Sequence, residues 1–245
     1  MTLRPACLLG ALVVMGFAAQ PAASQAPKAV IELFTSQGCS SCPPADQLIG
    51  ELAGRPDVIA LSLPVDYWDY LGWKDTLAQP AFAARQRAYA SGRGDKQVYT
   101  PQVIINGSKP IVGSDRAKIE SVIAKQGNTG ALPVLVSVSE VNGAATVEIA
   151  AASGETHAAE VWLVPVARAR EVAIGRGENR GRTITYVNVV RNMVKLGDWS
   201  GQAARFDVPL AIARSGDAEA YVVLLQVTDD AKPGAILGAA KGPGL

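Results

Sequence analysis

The stretch TSQGCSSCPPAD, residues 35–46, contains two cysteines that are separated by two serines and followed by two prolines. The sequence has only one other cysteine, Cys7. A C-x-x-C pair can be a structural disulfide, part of a metal site or a redox-active dithiol. The compartment, the supply of metal ligands and the elements that flank the pair help to distinguish these alternatives.

The first 24 residues have the features of an export signal. Arg4 provides a positive charge, residues 6–19 form an apolar stretch that is too short to span a bilayer, and small residues follow at 22–24. We expect cleavage at about residue 24, which removes Cys7 and delivers the mature chain to the periplasm or the exterior. In such a compartment the two remaining cysteines can persist as a disulfide.

Charge and hydropathy argue against two classes of partner. The 23 basic residues nearly balance the 22 acidic ones, so the composition does not favour binding to nucleic acid or to an anionic membrane. No apolar run reaches the length of about 18 residues that a transmembrane helix needs. We therefore predict no membrane span in the mature chain.

As a structural staple the pair is inefficient. In the chain-entropy estimate, closing a loop of about four residues stabilises a fold by ~1.9 kcal/mol, against ~3 kcal/mol for about fifteen residues. A protein that needs one disulfide for stability gains more from cysteines that are far apart in sequence. We therefore favour a working dithiol over a purely structural bond.

Metal ligands are scarce in this sequence. A tetrahedral zinc site needs four nitrogen or sulfur ligands, and the mature chain offers one cysteine pair and a single, distant histidine, His157. Two thiolates could hold Cu(I), which tolerates low coordination, so a Cu(I) carrier is kept as an alternative. We predict no bound metal and no bound cofactor.

The cysteine pair is predicted to stand between a buried strand and a helix. Residues 29–34 (AVIELF) form a short apolar run that is typical of a strand, and residues 45–53 place apolar side chains on one helix face. The N-terminus of a helix stabilises a thiolate. We therefore expect Cys39 to be the attacking nucleophile and Cys42 to be the resolving thiol.

The elements predicted downstream are strands over 58–65, 102–105 and 110–112 and helices over 80–90 and 115–126. The first strand, the first helix and the second strand form a parallel crossover unit. The predicted order for the first half is βαβ, α, ββ, α.

A C-x-x-C pair at the first strand–helix junction, followed by Thr100-Pro101 at the start of the hairpin, resembles the thioredoxin superfamily. The resemblance covers residues 28–127 and implies an α/β thioredoxin-like domain there. It also implies that Pro101 is cis and lies against the dithiol, and that the backbone of Thr100 pairs with the bound substrate. The implied partners are protein thiols or disulfides.

A narrower resemblance is based on the motifs IELFTSQGCSSCPPAD, VDYWDYLGWKD, ARQRAYA, YTPQVIING and GENRGRTITYVNVVR. These are similar to motifs of a secreted bacterial family, domain of unknown function 1223, whose first half is thioredoxin-like. The resemblance covers most of the mature chain and implies no particular substrate.

Thioredoxins have a buried acid in the strand below their cysteines, and the resemblance gives this role to Glu32. A buried Glu32 would relay the proton of Cys42. The alternative is that Glu32 is paired with a cation or is partly exposed.

Four aromatic residues follow the second predicted strand closely: Tyr67, Trp68, Tyr70 and Trp73. Parallel strands share a carboxyl edge, so this aromatic loop is predicted at the same edge as Cys39. One interpretation is a surface beside the dithiol that accepts apolar, peptide-like segments. The other is a packed loop that closes the end of the domain.

Beyond residue 130 the sequence predicts a small all-β, sandwich-like domain over 131–230 and a loose tail over 231–245. Its predicted strands are LVSVSEV, AATVEIA, AEVWLVPVA, TITYVNVV, ARFDVPLA and AYVVLLQV. The basic stretch GRGENRGR, residues 175–182, is interpreted as a turn with a solvated face. The alternative is a docking surface for an acidic partner or for the first domain.

Taken together, these features predict an exported thiol–disulfide oxidoreductase that works with an unidentified redox partner. A rival hypothesis is a non-enzymatic binding protein on the same scaffold, in which the disulfide is inert.

Overall fold

The computed structural model describes residues 27–108, 110–128, 132–154 and 157–245. The predicted export signal lies outside the described residues. Within them, no helix has both the length and the apolar character that a membrane crossing requires.

The strands are β1 (Ala29–Thr35), β2 (Val58–Pro64), β3 (Gln102–Ile105), β4 (Pro110–Val112), β5 (Val136–Val141), β6 (Ala144–Ile149), β7 (Ala159–Ala173), β8 (Thr183–Val190), β9 (Val194–Trp199), β10 (Ala204–Pro209), β11 (Ala220–Asp229) and β12 (Lys232–Lys241). The helices are α1 (Pro43–Ala53), α2 (Pro80–Arg93), α3 (Arg116–Asn128) and α4 (Leu210–Ala213), and a 3-10 turn covers Asp69–Leu71.

Helix α1 begins at Pro43 and not at the predicted Ala45. A proline in the first turn lacks an N–H group that would have no partner within the helix anyway. Cys42 is the N-cap residue and already has helical dihedral angles, with φ −78° and ψ −36°. The second cysteine therefore lies at the start of the helix.

One sheet contains strands from both halves of the chain. Its order is β12-β11-β7-β8-β2-β1-β3-β4, and β9 pairs with β7. Strands β1 and β2 are parallel, whereas β3 is antiparallel to β1. Strands β10, β6 and β5 form a smaller, three-stranded sheet. The fold is thus mixed α/β, with one large sheet and one small sheet.

The two halves of the chain meet where β2 lies parallel to β8. Ser62 pairs with Val189 and donates a hydrogen bond from Oγ to the carbonyl oxygen of Val187, 2.8 Å away. Asn188 donates from Nδ2 to the carbonyl oxygen of Ala60 over 3.0 Å. Strand β2 is buried along its whole length, and an open edge on such a strand would leave backbone groups unpaired.

The second half differs from the predicted separate sandwich. Strands β7, β8, β9 and β11 extend the large sheet. This arrangement was not predicted, because strands that pair with partners remote in sequence give no local signal. The predicted loose tail over 231–245 contains β12, which pairs with β11. Its glycines and alanines favour strands only weakly, so the sequence did not predict it. The predicted domain boundary near residue 130 stays a prediction.

Alternation along the strands divides the core between the two faces of the large sheet. In β1, Val30 and Phe34 pack with α2 on one face, while Ile31 and Leu33 pack with α1 and α3 on the other. In the second half, the face of the large sheet that is opposite to the α2 face packs against the small sheet. Helices α1 and α2 therefore lie on opposite faces.

Candidate functional site

Cys39 and Cys42 form a disulfide in the dithiol loop, residues 36–42, which connects β1 to α1. Their Cα atoms are 5.4 Å apart. Both side chains are buried, with exposed fractions of 1% and 0%. Ser40 and Ser41, which lie between them, are exposed. Solvent therefore reaches the serines of the motif and not its sulfurs.

A turn from the second half of the chain contacts the dithiol loop. This turn connects β7 to β8, and we name it the covering loop, residues 174–182. Asn179 of the covering loop donates from Nδ2 to the carbonyl oxygens of Gln37 and Cys39, over 2.9 and 2.8 Å. The basic stretch of this region was interpreted as a solvated turn or as a docking surface. Asn179 matches the second interpretation, because it docks onto the first half of the chain.

Two further contacts hold the covering loop in place. The backbone amide of Ser40 donates to Oε2 of Glu178 over 3.3 Å. The loop also passes close to the Trp73 ring, because a methyl group placed on Gly175 would lie 3.2 Å from that ring. The covering loop thus lies against both the dithiol loop and the aromatic loop.

Gln37 connects the dithiol loop to the aromatic loop. Its Oε1 accepts a hydrogen bond from Nε1 of Trp73 over 2.8 Å, and its Nε2 donates to Oγ1 of Thr76 over 3.2 Å. Its backbone amide donates to Oδ2 of Asp75 over 2.8 Å. Gln37 is fully buried. A glutamine in a turn has no sequence pattern that would identify it as such a connecting residue.

Trp68 lies between the dithiol loop and the residue that precedes Pro101. Its Nε1 donates to Oγ1 of Thr100 over 2.8 Å. Its Cβ is so close to Gly38 that a methyl group there would approach it to 2.9 Å. The Thr100–Pro101 peptide bond is cis, and Pro101 is buried.

The predicted aromatic residues do not share one environment. Tyr67 donates from its hydroxyl to Oε1 of Gln86 over 3.1 Å, and burial raises its pKa to about 12. Tyr67, Trp68 and Trp73 are each half-buried, whereas Tyr70 is 79% exposed. The first three match the packed-loop interpretation, and a role in substrate binding stays a prediction for all four.

Glu32 is buried in an ion pair on the α2 side of the sheet. It accepts hydrogen bonds from Nε of Arg85 over 2.7 Å and from the Tyr89 hydroxyl over 2.5 Å. Arg85 also donates to Oε1 of Gln226 over 2.8 Å. Of the two alternatives for Glu32, the structure has the paired one. Because Glu32 faces α2, it lies on the opposite side of β1 from the helix that carries Cys42.

Asp46 is a buried acid on the same side of the sheet as Cys42. Its Oδ1 accepts a hydrogen bond from Oγ1 of Thr35 over 2.7 Å, and its backbone amide donates to the carbonyl oxygen of Cys42 over 3.1 Å. Residues four apart on a helix share one face. Burial raises the pKa of Asp46 to about 7, against the lowering effect of Thr35 and with a further rise from Asp75.

The remaining oxygen of Asp46, Oδ2, has no hydrogen-bond partner among the described residues, and the same is true of the Tyr186 hydroxyl. Asp46 also lines a cleft of about 380 Å³ between α1 and β8, together with Gln47 and Thr185. Asp46 does not stand out in the sequence, because acids are common in the first turn of a helix, where they interact favourably with the helix dipole. Only burial distinguishes it.

Few side chains in the structure could hold a metal. Across the described ranges, no three histidine, cysteine or carboxylate side chains are grouped so as to bind an ion. The sulfurs of Cys39 and Cys42, once reduced, would be soft donors that suit Cu(I). The predicted absence of a metal or cofactor stays a prediction.

Residues 30–226 match the family described as "Protein of unknown function (DUF1223)". The chain belongs to this family. Both the dithiol loop and the covering loop lie inside the matched region. The contact between them is therefore a contact within the family's own domain.

Two solved structures are similar to this DUF1223 protein. The crystal structure of protein AGR_C_4864 from Agrobacterium tumefaciens has a TM-score of 0.80 and 34% identity, and the alignment covers 91% of this chain and 97% of that one. HBP35 of Porphyromonas gingivalis has a TM-score of 0.59 and 13% identity, covering 89% and 74% of the two chains, which is a likeness of fold alone. No curated protein matches the chain.

Proposed function

We propose that this DUF1223 protein is an exported thiol–disulfide oxidoreductase with a thioredoxin-like first half. The proposal is carried by the disulfide between Cys39 and Cys42 at the N-terminus of α1. The one other cysteine of the sequence, Cys7, lies in the predicted export signal. A pair in this position exchanges with protein thiols without a cofactor.

The proposed reaction transfers two electrons between the pair and a partner protein. In the oxidising direction, a thiolate of the partner attacks Cys39, a mixed disulfide forms, and Cys42 leaves as a thiolate. A second thiolate of the partner then attacks the mixed disulfide, so that the partner is oxidised and Cys39 is released as a thiolate. The reverse sequence reduces a partner's disulfide. Thr100 and Pro101 would position the partner's chain beside Cys39.

We assign to Asp46 the proton transfer that the thioredoxin resemblance gives to Glu32. Glu32 is held by Arg85 on the far side of β1, whereas Asp46 is one helical turn from Cys42. The protonated Asp46 donates to the Cys42 thiolate as it leaves and recovers the proton when the disulfide reforms. A pKa of about 7 suits a group that exchanges protons near neutral pH. The cleft beside Asp46 would provide exchange with solvent.

Exchange at this site requires a movement, because both sulfurs are buried. The hydrogen bonds between the two loops are made by Glu178 and Asn179. Separating the loops breaks these bonds and leaves the sheet intact. We therefore propose that the covering loop opens before Cys39 reacts.

The reduction potential of the pair tests the proposal. The mature protein is equilibrated in glutathione buffers, and the reduced fraction is determined from the mass shift after thiol alkylation. A potential between about −120 and −270 mV fits an oxidoreductase, and a potential below about −300 mV indicates an inert structural bond. As a second test, a Cys42→Ser variant should form a stable mixed disulfide at Cys39, and a Cys39→Ser variant serves as the control.

The burial of both sulfurs favours a second candidate function, a binding protein in which the disulfide is inert. In that case the partner would contact exposed groups such as Tyr70, and the pair would only hold the loop. This alternative predicts a potential below about −300 mV. It also predicts that Cys42→Ser traps no partner while the fold, monitored by near-UV circular dichroism, is retained.

A further inference from the structure

The covering loop has a concentration of arginines without partners. Most arginines of the described ranges form ion pairs with carboxylates, as Arg85, Arg170 and Arg191 do. Among the described residues, no carboxylate forms an ion pair with the arginines of the covering loop, which are Arg176, Arg180 and Arg182. All of them are exposed. Unpaired, exposed arginines leave their charge available to an incoming molecule.

The backbone holds these arginines next to the dithiol loop. The amide of Arg180 donates to the carbonyl oxygen of Gly177 over 3.2 Å, and the amide of Arg182 donates to that of Asn179 over 3.1 Å. Asn179 itself contacts the carbonyl oxygen of Cys39. A partner that reaches Cys39 therefore passes this turn.

Acidic groups that contact the dithiol loop and the aromatic loop accept hydrogen bonds from backbone amides. Within the covering loop, Glu178 is the one carboxylate beside the arginines, and it is engaged with the amide of Ser40. Asp75 is buried and accepts hydrogen bonds from the amides of Gln37 and Leu77. Asp69 accepts from the amide of Asp75. The covering loop itself thus carries three arginines against one carboxylate.

We infer that the substrates of the dithiol are acidic, with aspartate or glutamate residues next to the cysteine that exchanges with Cys39. This inference rests on the proposed function and specifies its substrate class. Guanidinium groups bind carboxylates through paired hydrogen bonds, which orients a segment as well as attracting it. The field of clustered charges also raises the rate of encounter at low ionic strength.

The test uses a defined reaction of the Cys42→Ser variant. Three peptides of equal length, acidic, neutral and basic, each carry one cysteine in a mixed disulfide with thionitrobenzoate. The Cys39 thiolate attacks the peptide sulfur, a Cys39–peptide disulfide forms, and thionitrobenzoate leaves as a coloured thiolate. One disulfide is consumed and one is formed. Each rate is divided by the rate of the same peptide with a small neutral thiol, which removes differences in intrinsic reactivity.

We expect the acidic peptide to react about tenfold faster than the basic one at an ionic strength of about 10 mM. At about 1 M salt the Debye length falls to about 3 Å, and the rates should agree within about twofold. Replacing all three arginines of the covering loop by glutamine should remove the preference. A control with the same charge change, in which the exposed Lys28, Lys118 and Lys125 become glutamine, should keep it.

The outcomes separate the inference from the proposed function. If thionitrobenzoate is released at equal normalised rates by the acidic and basic peptides at low salt, the substrate class is wrong and the oxidoreductase stands. The same conclusion follows if the control variant loses the preference as fully as the covering-loop variant does. If no peptide reacts with the folded variant while the unfolded variant reacts with all of them, the proposed function itself fails.

Discussion

Asn179 donates a hydrogen bond of 2.8 Å to the carbonyl oxygen of Cys39, although 140 residues separate them in the chain. The same Nδ2 atom donates to Gln37, and the Asn179 side chain is fully buried. A residue of the second half therefore fixes the backbone of the first cysteine. The second half therefore contributes to the candidate site and is more than an appended module.

Replacing Asn179 by alanine should speed the reduction of the disulfide. The variant loses both hydrogen bonds to the dithiol loop, each with a net worth of about 0.5–1.5 kcal/mol. If reaction follows local opening, a loss of about 1.4 kcal/mol raises the open population and the rate about tenfold. The measurement is the rate of reduction by a fixed concentration of dithiothreitol under native conditions, read by alkylation and mass.

Asn192→Ala provides the matched control for this experiment. Asn192 is exposed and lies between β8 and β9, away from the dithiol loop in the chain. Its removal should leave the reduction rate within about twofold of the wild-type value. An Asn179→Ala variant that is reduced no faster than this control would show that the covering loop does not limit access to Cys39.

The first half of the fold was predictable because its signals are local. The apolar run over residues 29–34 predicts strand β1 from neighbouring residues alone. The proline at the first position of α2 likewise predicts where that helix begins. The hairpin at Asn106 and Gly107 is similarly local, and both residues have positive φ angles of 50° and 70°. These elements lie within a residue or two of the predicted bounds, apart from the C-terminal end of α2.

The site was predictable only in part, because its decisive contacts are non-local. The cysteines and the proline of the Thr100–Pro101 pair could be named from motifs. The burial of Asp46 depends on Thr35 and on the approach of β8, and no residue next to Asp46 in sequence signals that approach. Asn179 likewise appeared as one residue of a basic turn.

Gly38→Ala should destabilise the dithiol loop. A methyl group there would lie 2.9 Å from Cβ of Trp68, and Trp68 is fixed by its hydrogen bond to Thr100. Overpacking of this kind costs about 1–3 kcal/mol. Urea denaturation should report a lower midpoint, whereas Gly154→Ala, which meets no atom within 4 Å, should change it little. Equal midpoints for the two variants would mean that the dithiol loop accommodates the methyl group without a loss of stability.

We expect the ion pair of Glu32 and Arg85 to stabilise the fold and not to act on the dithiol. A double mutant tests this expectation. Glu32→Ala leaves a buried guanidinium without its carboxylate and should cost about 3–5 kcal/mol in the free energy of unfolding. Replacing both partners, as Glu32→Leu with Arg85→Met, should recover most of that loss. If Glu32→Ala instead keeps its stability but changes the reduction potential, Glu32 acts on the dithiol and the assignment of Asp46 is wrong.

Asp46→Asn should change how the stability of the protein depends on pH. The pKa of Asp46 is raised from 3.8 to about 7, so between these values the folded state holds a proton that the unfolded state has released. The stability of the wild type therefore falls as pH rises through this window, and above it the full loss remains without further change from Asp46. Asparagine does not titrate and still accepts a hydrogen bond from Thr35. The free energy of unfolding of the variant should therefore rise relative to that of the wild type, by up to about 4 kcal/mol, as pH increases from 4 to 7. Asp75 also raises the pKa of Asp46, and it is present in both proteins. Urea titrations at a series of pH values give the difference directly, and a difference that stays constant from pH 4 to pH 7 would show that Asp46 is ionised throughout and holds no proton for Cys42.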